Sequence, residues 1–159
     1  MLFAFPADVL VHALKYRGEL ALAPYAAGLM HAGIGADADV CALVPVPLSA
    51  ARMRERGYNQ AMEIARHLAR FRGLRLIPEL CERVLDTAPQ TDLPHAERAR
   101  NVRGAFRCTG TLPAGTIAVL DDVMTTGATL DEVARALKLA GAARVVNWVL
   151  ARTPPLADV

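Results

Sequence analysis

Cysteine is scarce in this chain of 159 residues, which has only Cys41, Cys81 and Cys108. The number is odd, the three lie far apart along the chain, and none belongs to a Cys-x-x-Cys pair. These features argue against a disulfide framework and against a zinc site, and they favour a reducing compartment. We therefore expect a cytoplasmic protein that carries no zinc.

Long apolar runs and targeting features are also missing. No segment has the roughly 18 uncharged apolar residues of a membrane span, and no basic stretch precedes the apolar start Met1–Pro6. We therefore expect neither a signal peptide nor a membrane partner. Internal repeats and low-complexity tracts are absent too, so the length predicts a single domain over residues 1–159.

Lysine and aromatic residues are few, whereas arginine is abundant. Sixteen of the 18 basic residues are Arg, and residues 52–107 contain twelve Arg against seven acidic residues. A basic middle section predicts an anionic ligand, because the Arg fork suits phosphates and carboxylates. Aromatics make up 5% of the chain, so no stacking platform for single-stranded nucleic acid is visible.

Hydrophobic periodicity predicts helices and strands in alternation. The predicted helices are 6–15, 20–30, 58–71 and 129–140, and the predicted strands are 40–46, 74–77, 80–85, 116–120 and 145–150. Residues 86–103 predict a long loop with one helical turn after Pro94. Alternating strands and helices favour an α/β fold with a doubly wound, mostly parallel sheet flanked by helices.

The segment 117–130 carries the strongest functional signal. An apolar run ends at Asp121 and Asp122, and a Thr/Gly/Ala loop then leads into a helix. A helix N-terminus offers backbone N–H groups to a phosphate, while the two carboxylates can accept hydrogen bonds from sugar hydroxyls or help hold a divalent cation. The alternative is an ordinary strand-to-helix connection with an Asp/Thr cap. The candidate phosphosugar site comprises Asp121, Asp122, Thr125, Thr126, Gly127, Ala128 and Thr129.

A second polar segment follows the predicted strand 40–46. Arg52, Arg54 and Arg56 occupy alternate positions, and after Gly57 an Asn59–Gln60 pair opens the next predicted helix. These residues could clamp a pyrophosphate, and the alternative is a solvated basic turn.

The run Val-Leu-Asp-Asp-Val-Met-Thr-Thr-Gly-Ala-Thr resembles the phosphoribosyl pyrophosphate (PRPP) signature of the type I phosphoribosyltransferases. This resemblance implies that Asp121 and Asp122 are the catalytic pair and hold the ribose 2′- and 3′-hydroxyls. It implies that the Thr125–Thr129 loop wraps the 5′-phosphate. The resemblance also implies that Mg²⁺ binds together with PRPP. Either no protein residue contacts the ion directly, or Asp121 and Asp122 help to hold it.

Segments 13–18, 44–47 and 56–60 resemble hallmark motifs of the ComF (competence protein F) branch of that family. So does the scattered set Gln90, Thr91, Arg98, Asn101 and Phe106. The resemblance implies a small hood from the N-terminal segment and a flexible loop with Gln90, Thr91, Arg98 and Asn101 that closes over the site. Only twelve residues precede Ala13, where many such proteins carry a Cys-rich zinc module. The implied pyrophosphate residues are Lys15, Arg52, Arg56, Gly57, Asn59 and Gln60.

The expected function is therefore Mg²⁺-dependent transfer of a phosphoribosyl group with release of pyrophosphate, linked to DNA uptake. A non-catalytic sensor or adaptor for PRPP or a phosphoribosyl nucleotide is an alternative, and a single-stranded DNA-binding competence factor is another. Each of these functions is compatible with partner proteins from the competence machinery and with a homodimer. The sequence shows no element that would read an acceptor base.

Overall fold

The computed structural model describes residues 1–35, 39–86 and 97–153. Short 3₁₀ turns occur at Leu20–Leu22 and Pro78–Leu80. The helices are α1 (Ala7–Tyr16), α2 (Ala23–Gly33), α3 (Ala50–Arg56), α4 (Gln60–Arg72), α5 (Arg98–Val102) and α6 (Ala128–Leu139). The strands are β1 (Val40–Pro45), β2 (Arg75–Leu76), β3 (Cys81–Arg83), β4 (Phe106–Cys108), β5 (Thr116–Met124) and β6 (Arg144–Arg152).

Four strands form a parallel sheet in the order β2-β1-β5-β6, and β3 pairs with β4 in a separate antiparallel ladder. From β1 the chain moves outward to β2, whereas from β5 it moves to β6 on the opposite side. The strand order therefore reverses between β1 and β5. In open α/β sheets a ligand crevice forms at such a point, outside the carboxyl ends of the strands.

Side chains of the central strands point alternately to two separate hydrophobic clusters, because successive residues of a strand face opposite sides of a sheet. Ala118 and Leu120 of β5 belong to the cluster that contains α2 and α4. Ile117 and Val119 belong to the cluster that contains α6 and the β3–β4 pair. Helices thus cover both faces, which confirms the predicted doubly wound α/β fold.

The predicted end of β5 at Leu120 is wrong. The strand continues through both carboxylates to Met124, and it stays paired with β6 from Asp121↔Val149 to Met124↔Arg152. Asp is unfavourable in strands, but backbone pairing to a long neighbour outweighs that preference. The acidic pair is consequently held on a strand rather than at the start of a loop.

Sequence periodicity missed α3 and β4 entirely. Residues 50–56 form a helix whose N-cap is Ser49, and the Ser49 side chain accepts the Arg52 N–H. The helix ends at Gly57, which adopts the left-handed conformation (φ +79°). This helix has no buried residue and hence no apolar stripe to recognise. With three residues, β4 is too short to show a period of two.

The other predicted elements are confirmed with shifts of a few residues at their ends. The second predicted helix begins with the Leu20–Leu22 turn and continues as α2. Gly141 follows α6 with a φ of +108°, one position after the helix cap at Ala140.

Candidate functional site

A cleft of about 790 Å³ opens at the carboxyl ends of β1 and β5. Helix α1 forms one wall, the start of α3 and α4 forms a second, and the end of β5 with the first turn of α6 forms a third. The site residues from the sequence analysis that line the cleft are Lys15, Arg52, Arg56, Asn59, Gln60, Asp121, Asp122, Thr125 and Thr129. The fold therefore brings together two segments that are about sixty positions apart, together with a lysine from the first helix.

Hydrogen bonds from the strand backbone position the two carboxylates. Asp121 Oδ1 accepts the Asp122 N–H at 2.9 Å, and Asp122 Oδ1 accepts the Val123 N–H at 2.7 Å. Asp122 Oδ2 lies 2.9 Å from Lys15 Nζ. The approach is not aligned as a hydrogen bond, and this buried oxygen has no hydrogen-bond partner among the described residues. Beside its contact with Lys15, this oxygen therefore keeps the capacity to accept a hydrogen bond.

Burial, followed by the neighbouring charge of Asp122, raises the pKa of Asp121 to about 8. Lys15 opposes the shift without cancelling it. Two adjacent carboxyl groups in a half-buried site resist simultaneous ionisation, because their repulsion is poorly screened there. A ligand that brings hydroxyl donors or a cation would favour the ionised form of Asp121.

A tyrosine holds the end of α1 against the opposite wall of the cleft. The Tyr58 hydroxyl, in the link between α3 and α4, donates to the Leu14 carbonyl at 2.8 Å and approaches the Lys15 carbonyl at 3.4 Å. This contact fixes the backbone from which the Lys15 side chain reaches Asp122. Tyr58 thus has a structural role: it packs against the end of α1 and positions it.

The start of α4 presents amide groups to the cleft. Asn59 Oδ1 caps the helix by accepting the Met62 N–H, and its Nδ2 donates to the Val46 carbonyl at 2.9 Å. Gln60 is almost fully buried, and its Oε1 accepts a hydrogen bond from Arg56 Nη1 at 2.8 Å. Gln60 Nε2 has no hydrogen-bond partner in the described part of the chain. A buried donor without a partner is costly, so this amide suits an acceptor on a ligand.

The Thr/Gly loop divides into residues that face the cleft and residues that shape the turn. Thr125 and Thr129 line the cleft, whereas Thr126, Gly127 and Ala128 do not. Thr126 Oγ1 accepts the Ala128 N–H at 3.2 Å, and Gly127 adopts a left-handed conformation (φ +85°) that favours glycine. In the same way, Gly57 lies outside the cleft and ends α3.

Two of the four residues expected on a flexible loop, Arg98 and Asn101, belong to the part of the chain that the structure describes. Gln90 and Thr91 lie outside the described residues, and Arg98 begins the short helix α5. Asn101 in the same helix is half-buried and is not part of the cleft wall. The Gly104 N–H after this helix donates to Glu132 Oε1 of α6 at 2.6 Å, which ties the segment to the helix that starts at the Thr/Gly loop.

Arg83 is a cleft residue that sequence reasoning missed. Its guanidinium lies over the Phe106 ring, 5.5 Å from the ring centre, on the β3–β4 pair. Burial lowers the pKa of Arg83, and the positive charge of Arg52 lowers it further. Two arginines from different elements therefore meet at one end of the cleft. No local pattern could reveal this, because it depends on where the β3–β4 pair docks.

The α1 wall also contains aromatic side chains. The rings of His12 and Tyr16 are 4.7 Å apart, and both residues line the cleft together with Asp8 and Phe3. The sequence shows no element that would read an acceptor, yet the fold places aromatic rings and a carboxylate on this wall.

The described residues contain neither a metal-binding cluster nor a membrane-spanning helix. No group of three or more His, Cys, Asp or Glu residues there could hold a metal ion by itself. None of the helices described combines the length and the apolar character needed to cross a bilayer.

Comparison with known proteins identifies several relatives, although no family model matches the chain. Competence protein F of Haemophilus influenzae is 35% identical over 114 residues, which cover 70% of this chain and 50% of that protein. DNA utilization protein YhgH of Salmonella typhi is 35% identical over 154 residues, which cover 93% of this chain and 68% of that protein. The chain thus spans half to two thirds of the length of these relatives.

Two solved structures share the fold. The allosteric regulatory enzyme of purine biosynthesis matches with a TM-score of 0.50 and 21% identity over 85% of this chain and 26% of its own. The glutamine PRPP amidotransferase of Bacillus subtilis matches with a TM-score of 0.53 and 19% identity over 85% of this chain and 27% of its own. At this identity the likeness concerns the fold alone.

The raised pKa of Asp121 predicts a pH-dependent effect of the substitution Asp121→Asn. The folded protein holds this proton more tightly than the unfolded chain, so the parent loses stability as pH rises from about 4 to 8. We expect the stability of Asp121→Asn relative to the parent to increase from pH 5 to pH 9, as measured by urea unfolding at each pH. A difference that stays constant across this range would contradict the assignment.

Proposed function

Since the chain belongs to the competence protein F family, together with the DNA utilization proteins YhgH, and has a type I phosphoribosyltransferase fold, we propose that it binds PRPP with Mg²⁺ and transfers the phosphoribosyl group with release of pyrophosphate. The observation that carries the proposal is that one cleft combines two sets of residues: the carboxylates of Asp121 and Asp122, here called its acidic end, and the guanidinium groups of Arg52, Arg56 and Arg83, here called its basic end. Both ends lie where the strand order reverses.

The acidic end suits a ribose 5-phosphate. Asp121 and Asp122 offer carboxylate oxygens to the ribose hydroxyls, and one of these oxygens is buried without a hydrogen-bond partner among the described residues. The hydroxyls of Thr125 and Thr129 line the adjoining wall, beside the first turn of α6. A helix N-terminus favours a phosphate through its backbone N–H groups and its dipole.

The basic end suits a pyrophosphate. Arg52, Arg56 and Arg83 line it, and Gln60 adds a buried amide donor without a hydrogen-bond partner in the described structure. Guanidinium groups can stabilise the charge that develops on a departing pyrophosphate. The carboxylates of Asp121 and Asp122 have the oxygen donors that Mg²⁺ prefers, so the acidic end also fits a PRPP-bound cation. Bound with PRPP, Mg²⁺ would neutralise charge on the leaving group.

In this mechanism the protein acts by positioning and electrostatics. The two carboxylates orient the ribose so that its anomeric carbon faces the acceptor, and they stabilise the positive charge of an oxocarbenium-like transition state. Lys15, which is paired with Asp122, keeps that carboxylate oriented. We place this reaction in the cytoplasm, where free thiols persist.

A non-catalytic sensor or adaptor in DNA uptake is the second candidate, because the relatives are named for competence and DNA utilization. A shared fold does not establish chemistry.

An assay for PRPP-dependent pyrophosphate release with a panel of nucleobases and ammonia distinguishes the enzyme from the sensor. We expect release with at least one acceptor. PRPP binding with no release from any of them would favour the sensor, and DNA binding that weakens steeply with salt would favour a DNA-binding factor.

Binding of PRPP should depend on both carboxylates. We expect the double variant Asp121→Asn/Asp122→Asn to bind Mg²⁺-PRPP at least about 100-fold more weakly than the parent, since charged hydrogen bonds contribute roughly 1.5–3 kcal/mol each. Isothermal titration calorimetry measures the affinity, and circular dichroism checks the fold. The double charge reversal Asp121→Arg/Asp122→Arg should abolish binding. Retention of parental affinity by either variant would refute the ribose assignment.

Arg83 and Arg107 provide a matched pair on one hairpin. Arg83 faces the cleft, whereas Arg107 is exposed and pairs with Glu82 on the opposite face. We expect Arg83→Ala to weaken binding of Mg²⁺-pyrophosphate about tenfold, because one charged contact is lost. Arg107→Ala should stay within about twofold of the parent, since an exposed ion pair contributes little. Equal effects of the two substitutions would mean that Arg83 acts only through the net charge of the protein, which would contradict a direct contact with pyrophosphate.

A further inference from the structure

The β3–β4 pair brings two cysteines together that are distant in the sequence. Cys81 is the direct partner of Cys108 in the antiparallel register. The sequence spacing, which contains no Cys-x-x-Cys pair, predicts three separate cysteines, and the fold corrects that expectation for Cys81 and Cys108. Both are free thiols in this structure.

Backbone hydrogen bonds define the type of position that the two cysteines occupy. The Thr109 N–H donates to the Leu80 carbonyl at 3.1 Å, and the Val84 N–H donates to the Ala105 carbonyl at 2.8 Å. Hydrogen-bonded and non-hydrogen-bonded pairs alternate along an antiparallel ladder. Cys81 and Cys108 therefore form a non-hydrogen-bonded pair, as do Arg83 and Phe106.

The spacing of such a pair is compatible with a covalent bridge. Residues in a non-hydrogen-bonded pair have Cα atoms about 4.5 Å apart, with side chains on the same face of the ladder. Disulfides span Cα distances of roughly 4.4–6.8 Å. Cys81 and Cys108 can therefore be joined with little movement of the backbone.

The two thiols differ in their surroundings, and this difference sets the order of reaction. Cys108 is half-buried, and its Sγ lies 3.8 Å from the Gly110 carbonyl oxygen. Cys81 is buried, and burial, followed by the charges of Cys108 and Glu82, raises its pKa to about 12. Because the attacking thiol must be accessible, the half-buried Cys108 is the thiol that meets an oxidant from solvent first.

The bridge would form next to a residue of the proposed site. Arg83 and Phe106 are the next non-hydrogen-bonded pair along the same face, two positions from the cysteines. The Arg83 guanidinium lies over the Phe106 ring and lines the cleft. Whatever fixes β3 against β4 at the cysteines also restricts the backbone that carries Arg83.

We propose that Cys81 and Cys108 are an oxidative modification site, at which a low-molecular-weight disulfide such as glutathione disulfide produces a reversible cross-strand disulfide that fixes Arg83 in the cleft. The Cys108 thiolate attacks one sulfur of glutathione disulfide and releases one glutathione. Cys81 gives its proton to the released glutathione thiolate as it attacks the Cys108 sulfur, and the second glutathione leaves. Two protein thiols become one disulfide, and one glutathione disulfide becomes two glutathione thiols.

The first test concerns the bridge and needs no ligand. The native chain is incubated with glutathione disulfide, the remaining thiols are blocked, and the peptides are mapped by mass spectrometry without reduction. We expect a peptide pair linked through Cys81 and Cys108, absent from Cys108→Ser and retained in Cys41→Ser. A glutathione adduct on Cys108 without the internal link would overturn the proposal, and so would a link that includes Cys41.

The second test concerns the effect on the cleft, which rests on the proposed function. We expect the oxidised parent to bind Mg²⁺-pyrophosphate about threefold more tightly than the reduced parent, since a preorganised Arg83 loses less freedom on binding. Dithiothreitol should reverse the change, and Cys108→Ser should not show it. Equal affinity of the two forms would overturn the coupling. Failure of both forms to bind would contradict the coupling and the proposed function while the mapped bridge stands.

Discussion

The contact between Lys15 and Asp122 connects the parts of this molecule on which its proposed function depends. Asp122 is nearly buried beside a second carboxyl group, and a charge in that position needs a compensating partner. The partner comes from α1, the first helix of the chain, and the Tyr58 hydroxyl fixes the backbone of that helix end. The acidic end of the cleft and its α1 wall therefore depend on each other.

This ion pair also explains why the cleft has two chemically distinct ends. Lys15 offsets part of the charge of the acidic pair, yet the pKa of Asp121 stays raised because burial and repulsion from Asp122 outweigh that help. Arg52, Arg56 and Arg83 line the same cleft together with Glu55. One end is thus poised for hydroxyl donors and a cation, and the other for an anion. A sugar that carries a pyrophosphate matches both at once.

The comparisons and the site support different parts of the conclusion. The relatives establish the family, and the solved structures establish the fold, but neither assigns a reaction to this chain. The atoms that favour PRPP are the buried oxygen of Asp122, the buried amide nitrogen of Gln60 and the guanidinium nitrogens of the arginines in the same cleft. Ordinary folding physics disfavours such buried groups without hydrogen bonds, and a bound ligand would supply their partners.

The sequence by itself determined the alternation of strands and helices, the doubly wound sheet and the motif at Asp121–Thr129, because these depend on local periodicity and on short runs of residues. It did not reveal that β5 continues through the acidic pair, since pairing with β6 decides where that strand ends. Hydrophobic periodicity did not predict helix α3, because this helix buries no apolar face. Arg83 in the cleft and Cys81 opposite Cys108 follow from the docking of the β3–β4 pair, and contacts between residues distant in the chain leave no local signal.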